Sequence, residues 1–216
     1  MTFTVEPIIS YERSSNVYII LSEREALIVD AGLPDFIAYN MDIIEKALSK
    51  VSRVYLVFTH CHFDHVFGYK VIKRACKRIE TYAHELDADD IRRATFKSFA
   101  RFFGSTEGVE IDHEVKEGDI LEFGSAVAKV YHTPGHTEGS ISILIDEYAF
   151  VGDLIFYRAY GRYDFYSGNY NDLLNSIERL SRLTIRKLFP GHGSIVGAPK
   201  ENFEAVLELL KEEKEL

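Results

Sequence analysis

The chain of 216 residues is 46% hydrophobic and 27% charged, with 14 Gly and 5 Pro, which excludes a disordered, collagen-like or low-complexity polymer and leaves ample material for a core. Its 25 Lys and Arg against 34 Asp and Glu give a net charge of −9, the wrong sign for gripping nucleic acid or an anionic membrane. Cys61 and Cys76 make no disulfide scaffold and suit a reducing compartment. No signal-peptide pattern or membrane-length apolar run is visible, so a cytoplasmic protein with no nucleic-acid and no membrane partner is expected.

Strand signals cover residues 3–9, 17–21 and 26–29, the last running into Asp30-Ala31-Gly32. From 35 to 51 the period changes, with Ile37, Met41, Ile44, Leu48 and Val51 at helical spacing behind Pro34. Residues 54–58 form a continuous apolar run of strand length. A helix is predicted over 64–78, a short strand over 81–83, a helix over 85–103 and a strand over 127–131. Residues 141–145 and 148–151 read as a hairpin about Asp146-Glu147, 169–183 as a helix, and 188–189 as a strand end. Phe203, Val206, Leu207 and Leu210 share one face of a C-terminal helix, whose charged run 211–215 reads as a solvated, fraying end. Strands and helices alternate without a linker, so one α/β domain over 1–216 is expected.

The chemistry sits in the punctuation. The strand at 54–58 feeds Thr59-His60-Cys61-His62-Phe63-Asp64-His65, and further loops carry His136 in Thr133-Pro134-Gly135-His136-Thr137, Asp153 after Gly152, and His192 in Pro190-Gly191-His192-Gly193. If the backbone stays extended beyond the strand, His60 and His62 point the same way and can chelate one ion, while Asp64 and His65 can turn toward a second. Cys61 then points away and packs. Imidazole and carboxylate without thiolate suit Zn²⁺ first, with Fe or Mn²⁺ also accepted. Seven such groups exceed one tetrahedral site and match two divalent ions sharing a carboxylate.

This motif set, in this order, resembles the metallo-β-lactamase-fold hydrolase superfamily. The resemblance implies an αβ/βα sandwich, two mixed β-sheets face to face with helices on the outer faces and metals at one edge. It also implies a first site of His60, His62 and His136, and a second of Asp64, His65 and His192, with Asp153 bridging. Asp30 and Thr59 would support the ligands from behind. The expected step is attack by a metal-held hydroxide on an acyl carbon, with Asp64 and Asp153 in the catalytic role.

Within the superfamily, β-lactamases generally lack the bridging Asp, the flavodiiron branch has Glu where His62 stands, and the RNA-processing branch needs an added substrate-gripping arm. The segment from Gly152 onward, with Gly161-Arg162-Tyr163-Asp164-Phe165, resembles small glyoxalase II-like thioesterases acting on hydroxyacyl-glutathione-type substrates. A thiolate leaves with little acid assistance, which suits a motif without a dedicated acid. Asp164 departs from the Tyr of the long-form enzymes, and the chain beyond Gly193 is short for their helical substrate domain, so glutathione is not assigned as the thiol. A one-iron persulfide dioxygenase using His60, His136 and Asp153, a lactone hydrolase and an inactive metal-binding scaffold are the alternatives.

The resemblance places Arg162 where a substrate carboxylate would be met, so Arg162→Ala is expected to raise KM more for carboxylate-bearing substrates. Tyr157, Tyr160 and Tyr163 in the same aromatic loop are expected to wall the pocket for a small-molecule acyl substrate. His84, His113, His132 and Cys76 carry no motif context. The predicted helix 85–103, with Arg92, Arg93, Lys97 and Arg101 among Phe96, Phe99, Phe102 and Phe103, would bury its rings internally or against a homodimer partner, or form a lid.

Overall fold

Strands β2 (Val17–Ser22), β3 (Glu25–Val29) and β4 (Arg53–Val57) are apolar on both faces, which suits strands covered on both sides. In the computed structural model, which describes residues 2–10 and 12–214, they form the middle of a six-stranded sheet. Its order is β1 (Thr4–Ile8), β2, β3, β4, β5 (Ile79–His84) and β6 (His113–Val115). β1 to β3 pair antiparallel, and β3 to β6 pair parallel. A second, five-stranded sheet contains β7 (Ile120–Phe123), β8 (Ala126–His132), β9 (Ile141–Ile145), β10 (Tyr148–Gly152) and β13 (Lys187–Pro190), ordered β13-β10-β9-β8-β7. A small ribbon of β11 (Ile155–Phe156) and β12 (Ala159–Tyr160) follows β10.

The period-two alternation of side chains sorts the core into layers. Tyr18, Ile20, Leu27, Val29, Tyr55 and Val57 face Val130, Ile143, Phe150 and Phe189 between the sheets. The alternate residues Val17, Ile19, Ile28, Val54 and Leu56 pack outward against Ile37, Ile44, Val66 and Ile72. Those four belong to the helices α1 (Pro34–Tyr39), α2 (Met41–Leu48), α3 (Phe63–Val66) and α4 (Tyr69–Ile72). Ala88 and Ile91 of α5 (Glu85–Arg93) join the same layer. On the far side, Leu173, Ile177 and Leu180 of α6 (Tyr170–Ser181) and Phe203, Val206 and Leu210 of α7 (Pro199–Lys214) cover Ala149, Val151 and Leu188. This is the αβ/βα sandwich with helices outside. Each fully buried Leu, Ile or Phe in these layers contributes about 1.5–3 kcal/mol from desolvation.

Three predicted helices are broken. The 35–51 helix divides at Asn40, whose side-chain amide donates to the Phe36 carbonyl and whose own carbonyl starts α2. The 64–78 helix breaks at Gly68, which donates to the Gly32 carbonyl and lies so close to the Ala31 carbonyl that a Cβ would fall 2.0 Å from its oxygen. The 85–103 helix ends at Arg93, because Ala94 and then Phe99 adopt left-handed backbone, with φ of 47° and 57°. Residues Phe96–Ser98 and Ala100–Phe103 are separate 3₁₀ turns. Residue 215, the end of the charged run, lies outside the described residues. Among those described, no helix is long and apolar enough to cross a membrane.

Candidate metal centre

The loops that follow the C-terminal ends of β3, β4, β8, β10 and β13 gather at one edge between the two sheets. They bring Asp30, the 59–65 segment, His136, Asp153 and His192 together from positions far apart in sequence. Backbone bonds tie these loops to each other: Ala31 N donates to the His65 carbonyl, Ile141 N to that of Thr59, and Gly191 N to that of Gly152. Two glycines make the approach feasible. Gly152, at φ 52°, lets the chain turn against Thr59, where a Cβ would meet Oγ1 at 2.6 Å. At Gly191 a Cβ would fall 2.2 Å from Asp153 Oδ1 and 2.7 Å from His65 Cε1.

Outer partners fix which ring nitrogen faces inward. Thr59 Oγ1 lies 2.9 Å from Asp30 Oδ2 and 3.1 Å from His60 Nδ1. A carboxylate oxygen accepts, so the hydroxyl donates to Asp30 and His60 Nδ1–H donates to the hydroxyl. His60 Nε2 is left as a buried lone pair with no hydrogen-bond partner. In the same way His136 Nδ1–H donates to the Arg162 carbonyl at 2.6 Å, and His65 Nδ1–H to Asp30 Oδ2 at 2.7 Å. Each presents Nε2 to the interior, the arrangement by which backing groups orient metal-binding imidazoles.

Ligand atoms of His60, His62 and His136 all lie within 4.8 Å of one another, and so do those of Asp64, His65 and His192, and of His60, His65 and Asp153. His62 Nδ1 is 2.9 Å from His136 Nε2, and His65 Nε2 is 3.3 Å from His192 Nε2. Nitrogens on one tetrahedral Zn²⁺ are about 3.3 Å apart when each bond is about 2.0–2.1 Å. The side chains need to move only slightly to take an ion. Asp153 stands between the groups, with Oδ1 3.3 Å from His65 Nε2 and Oδ2 3.6 Å and 3.5 Å from the Nε2 atoms of His136 and His192. Asp64 Oδ2 is 3.2 Å from His192 Nε2.

The electrostatics divide the cluster into halves. Burial and the surrounding imidazoles hold His60 well below its ordinary value; burial, then His136, brings His62 to about 3; and burial lowers His136. These rings are neutral donors. At His65 burial acts the same way but is outweighed by Asp30, Asp153 and Asp64, which raise it well above its ordinary value. His192 is also raised, Asp153 and Asp64 overcoming burial. Burial opposes ionisation of Asp153 and Asp64, yet His65 and His192 keep both below the usual carboxylate range. The cluster supplies lone pairs on one side and negative charge that calls for a cation on the other, so its residues fit divalent ions.

Asp30 and Thr59 thus sit directly behind the inward-facing atoms. Cys61 is buried in the helix-facing core, as its alternation requires. The aromatic loop is arranged differently from expectation. The Arg162 guanidinium is engaged by Asp164 through bonds of 2.8 and 2.7 Å and lies 4.0 Å from the centre of the Phe165 ring. Its contact with the cluster is through its carbonyl. Tyr160 and Tyr163 direct their hydroxyls to Glu213 of α7, and Tyr157 is 62% exposed beside Arg158. Rings that meet the histidines include Phe99, 5.0 Å from His62, Phe165, 5.9 Å from His62 and 6.4 Å from His136, and Phe156, 6.2 Å from His192. His84 and His132 stack on each other, and His113 on Tyr82.

One residue behind the cluster escaped sequence reasoning. Asp87 lies in the first turn of α5, where an acidic side chain ordinarily faces solvent or caps the helix. Here it is 1% exposed and bonded to both histidine loops. The only sequence signal was its place in Glu85-Leu86-Asp87, an unremarkable helix start.

The model of the metallo-β-lactamase superfamily matches residues 10–192. A probable metallo-hydrolase of Methanocaldococcus jannaschii is 30% identical over 198 residues, covering 86% of this chain and 90% of its own. A protein crystallised in a di-iron-bound form, TTHA1623, superposes with a TM-score of 0.73 at 25% identity over 91% of this chain and 96% of its own. ETHE1 of Myxococcus xanthus, at 22% identity, shares the fold, with a TM-score of 0.70 over 96% of this chain and 90% of its own.

Proposed function

The chain belongs to the metallo-β-lactamase superfamily, and we propose that within it the protein is a dinuclear hydrolase of acyl substrates, thioesters first. The observation that carries this reading is Asp153, whose carboxylate reaches toward His136 of one histidine group and His65 and His192 of the other. One carboxylate between two ligand groups is the requirement for a paired site. Two bound divalent ions would supply a water activated as nucleophile near neutral pH and a Lewis acid for the carbonyl oxygen.

The chain's own groups do the rest. His60, His136 and His65 are locked by Thr59, Arg162 and Asp30 with Nε2 inward, so no tautomer change accompanies turnover. Asp64 Oδ2, partly open to solvent and 3.2 Å from His192 Nε2, would join His65 and His192 in holding the second ion. Phe99 and Phe165 cover the His62 side and exclude bulk water there. With His65 and His192 engaged as ligands the motif reserves no acid for a leaving group, which favours a thiolate over a poorer one.

Protein purified without added metal, assayed for metal content and against a panel of thioesters, lactones and a persulfide, tests the reading. Two equivalents of metal with thioester turnover support it, as would lost turnover in His62→Ala and Asp153→Ala. A second reading, one-iron persulfide dioxygenation, draws on the Arg162-Tyr163-Asp164-Phe165 unit packed beside His136. One iron with oxygen uptake would favour it, and metal without turnover would leave a binding scaffold.

A further inference from the structure

We propose that Asp87 is a positioning residue that sets the spacing of the three-histidine group, His60, His62 and His136. This rests on the metal-binding reading above and adds a residue to it.

Asp87 comes from α5, outside every loop that carries a candidate ligand, yet its carboxylate joins two of them. Oδ2 accepts from Cys61 N at 2.8 Å, the backbone amide between His60 and His62, and from Thr137 Oγ1 at 2.8 Å, on the residue after His136. Oδ1 accepts from Gly139 N at 3.0 Å in the His136 loop. The fit is close: a Cβ on Gly139 would fall 2.4 Å from Oδ1. Thr137 is further held by Ser140, whose Oγ lies 2.8 Å from Thr137 Oγ1 and accepts from Thr137 N at 3.0 Å.

A buried carboxylate carries a large desolvation cost unless its oxygens are satisfied. This one is satisfied entirely from the two histidine loops, so the charge is stable only while both loops are in place. In the other direction, the loops lose a shared acceptor if the carboxylate is removed. Asp87 therefore acts beside the Ile141 N–Thr59 carbonyl bond in holding the two loops at the spacing that leaves His62 Nδ1 2.9 Å from His136 Nε2.

An Asn at this position has one acceptor oxygen. Placed at Oδ2 it keeps Cys61 N and Thr137 Oγ1 but turns an amide N–H toward Gly139 N–H; placed at Oδ1 it loses the other two donors. Asp87→Ala removes every acceptor. Asp90 gives a control for the hydrogen bonds: it is buried on the same helix with an oxygen within 4.8 Å of Asp87 and Cys61, but it is bonded to Thr95 and makes no hydrogen bond to either histidine loop.

The test is stepwise Co²⁺ titration of the metal-stripped full-length chain, followed by visible absorption, for the unsubstituted protein, Asp87→Asn, Asp87→Ala and Asp90→Asn, with the metal-free melting temperature of each. Removal of groups behind metal ligands typically weakens affinity about 10–100-fold. Asp87→Asn is expected to weaken one of the two binding steps by about tenfold or more and leave the other within about twofold, with an altered spectrum for the affected step. Asp90→Asn should leave both steps unchanged. Unchanged steps in Asp87→Asn overturn the proposal, as does equal weakening of both steps in proportion to lost melting temperature. Should Asp87→Ala not fold, the Asn variant alone decides. Failure of the unsubstituted chain to bind Co²⁺ would overturn the metal-binding reading itself, and this proposal with it.

Discussion

Asp30→Asn isolates what the buried carboxylate behind the cluster contributes. Asp30 is 2% exposed and has left-handed backbone, φ 61°, which Asn tolerates as well as Asp, so the substitution changes the side chain and not the turn. The carboxylate accepts from Thr59 N at 2.8 Å through Oδ1, and from Thr59 Oγ1 at 2.9 Å and His65 Nδ1 at 2.7 Å through Oδ2. If the amide oxygen of Asn takes the Oδ2 place, its N–H₂ opposes Thr59 N–H and leaves a buried backbone donor unpaired. If it takes the Oδ1 place, the amide N–H₂ opposes His65 Nδ1–H, and that ring must give up its Nδ1 proton. An unpaired buried donor costs about 1–3 kcal/mol and a lost bond to a charged group about 1.5–3 kcal/mol, so about 3 kcal/mol is expected. For a chain of this length that lowers the melting temperature of the metal-stripped protein by about 6–12 °C. Metal affinity should fall about 10–100-fold as well, since His65 loses its orienting acceptor. Differential scanning calorimetry and metal titration read both. A melting temperature within about 2 °C of the unsubstituted protein, with unchanged metal affinity, would refute the argument that Asp30 holds these groups in register.

Because Asp164 already occupies the Arg162 fork, Arg162→Ala should change KM for carboxylate-bearing and neutral thioesters alike, whereas Asp164→Ala should free the guanidinium and lower KM for the carboxylate-bearing substrate only. Steady-state kinetics on a matched substrate pair checks both. Gly152→Ala places a Cβ 2.6 Å from Thr59 Oγ1 at a left-handed position and should cost about 1–3 kcal/mol in urea unfolding, with metal uptake falling in parallel. His84, brought from its ordinary 6.5 to about 4 by burial and by His132, binds fewer protons folded than unfolded between those pH values. Its contribution is full above about pH 6.5 and is lost as pH falls toward about 4. His84→Asn, which keeps an N-cap acceptor for Leu86 N, should make the acid-side decline in melting temperature shallower. Phe99→Ala should raise KM most for thioesters with apolar acyl groups, because it opens the wall over His62.

The parts of the molecule legible in sequence share a physical reason. The apolar strands at 17–22, 25–29 and 53–57 declare themselves because they are buried on both faces, and the motif histidines because Gly and Pro mark the turns that hold them. His60, His62 and Asp64 could be read as a group from their spacing alone. That His136, Asp153 and His192 join them was read from their Gly-flanked places after strands, and their division into two sites from resemblance; the pairing of β10 with β13 and the facing of the two sheets bring those loops together. The helix breaks at Asn40, Gly68 and Ala94 were hidden because hydrophobic spacing continues through them while a local side-chain bond at Asn40, a long-range backbone approach at Gly68 and left-handed backbone at Ala94 end the helix. β6 and β7 were missed because they are short and half polar. Asp87 and Asp164 were illegible for a common reason: a carboxylate's role depends on which donors reach it, and those donors lie on other elements or face a partner two residues away that spacing does not reveal. In the aromatic loop, Phe156 and Phe165 turn toward the histidines while Tyr160 and Tyr163, expected as pocket wall, turn toward α7.

Asp153 is placed to lie between two ions. A crystal structure of the zinc-loaded protein, with anomalous difference maps recorded on both sides of the zinc edge, tests it most directly. Two peaks about 3.5–4 Å apart are expected, one beside His60, His62 and His136, the other beside Asp64, His65 and His192, with the Asp153 carboxylate between them. A single peak, or ions bound away from Asp153, would contradict it.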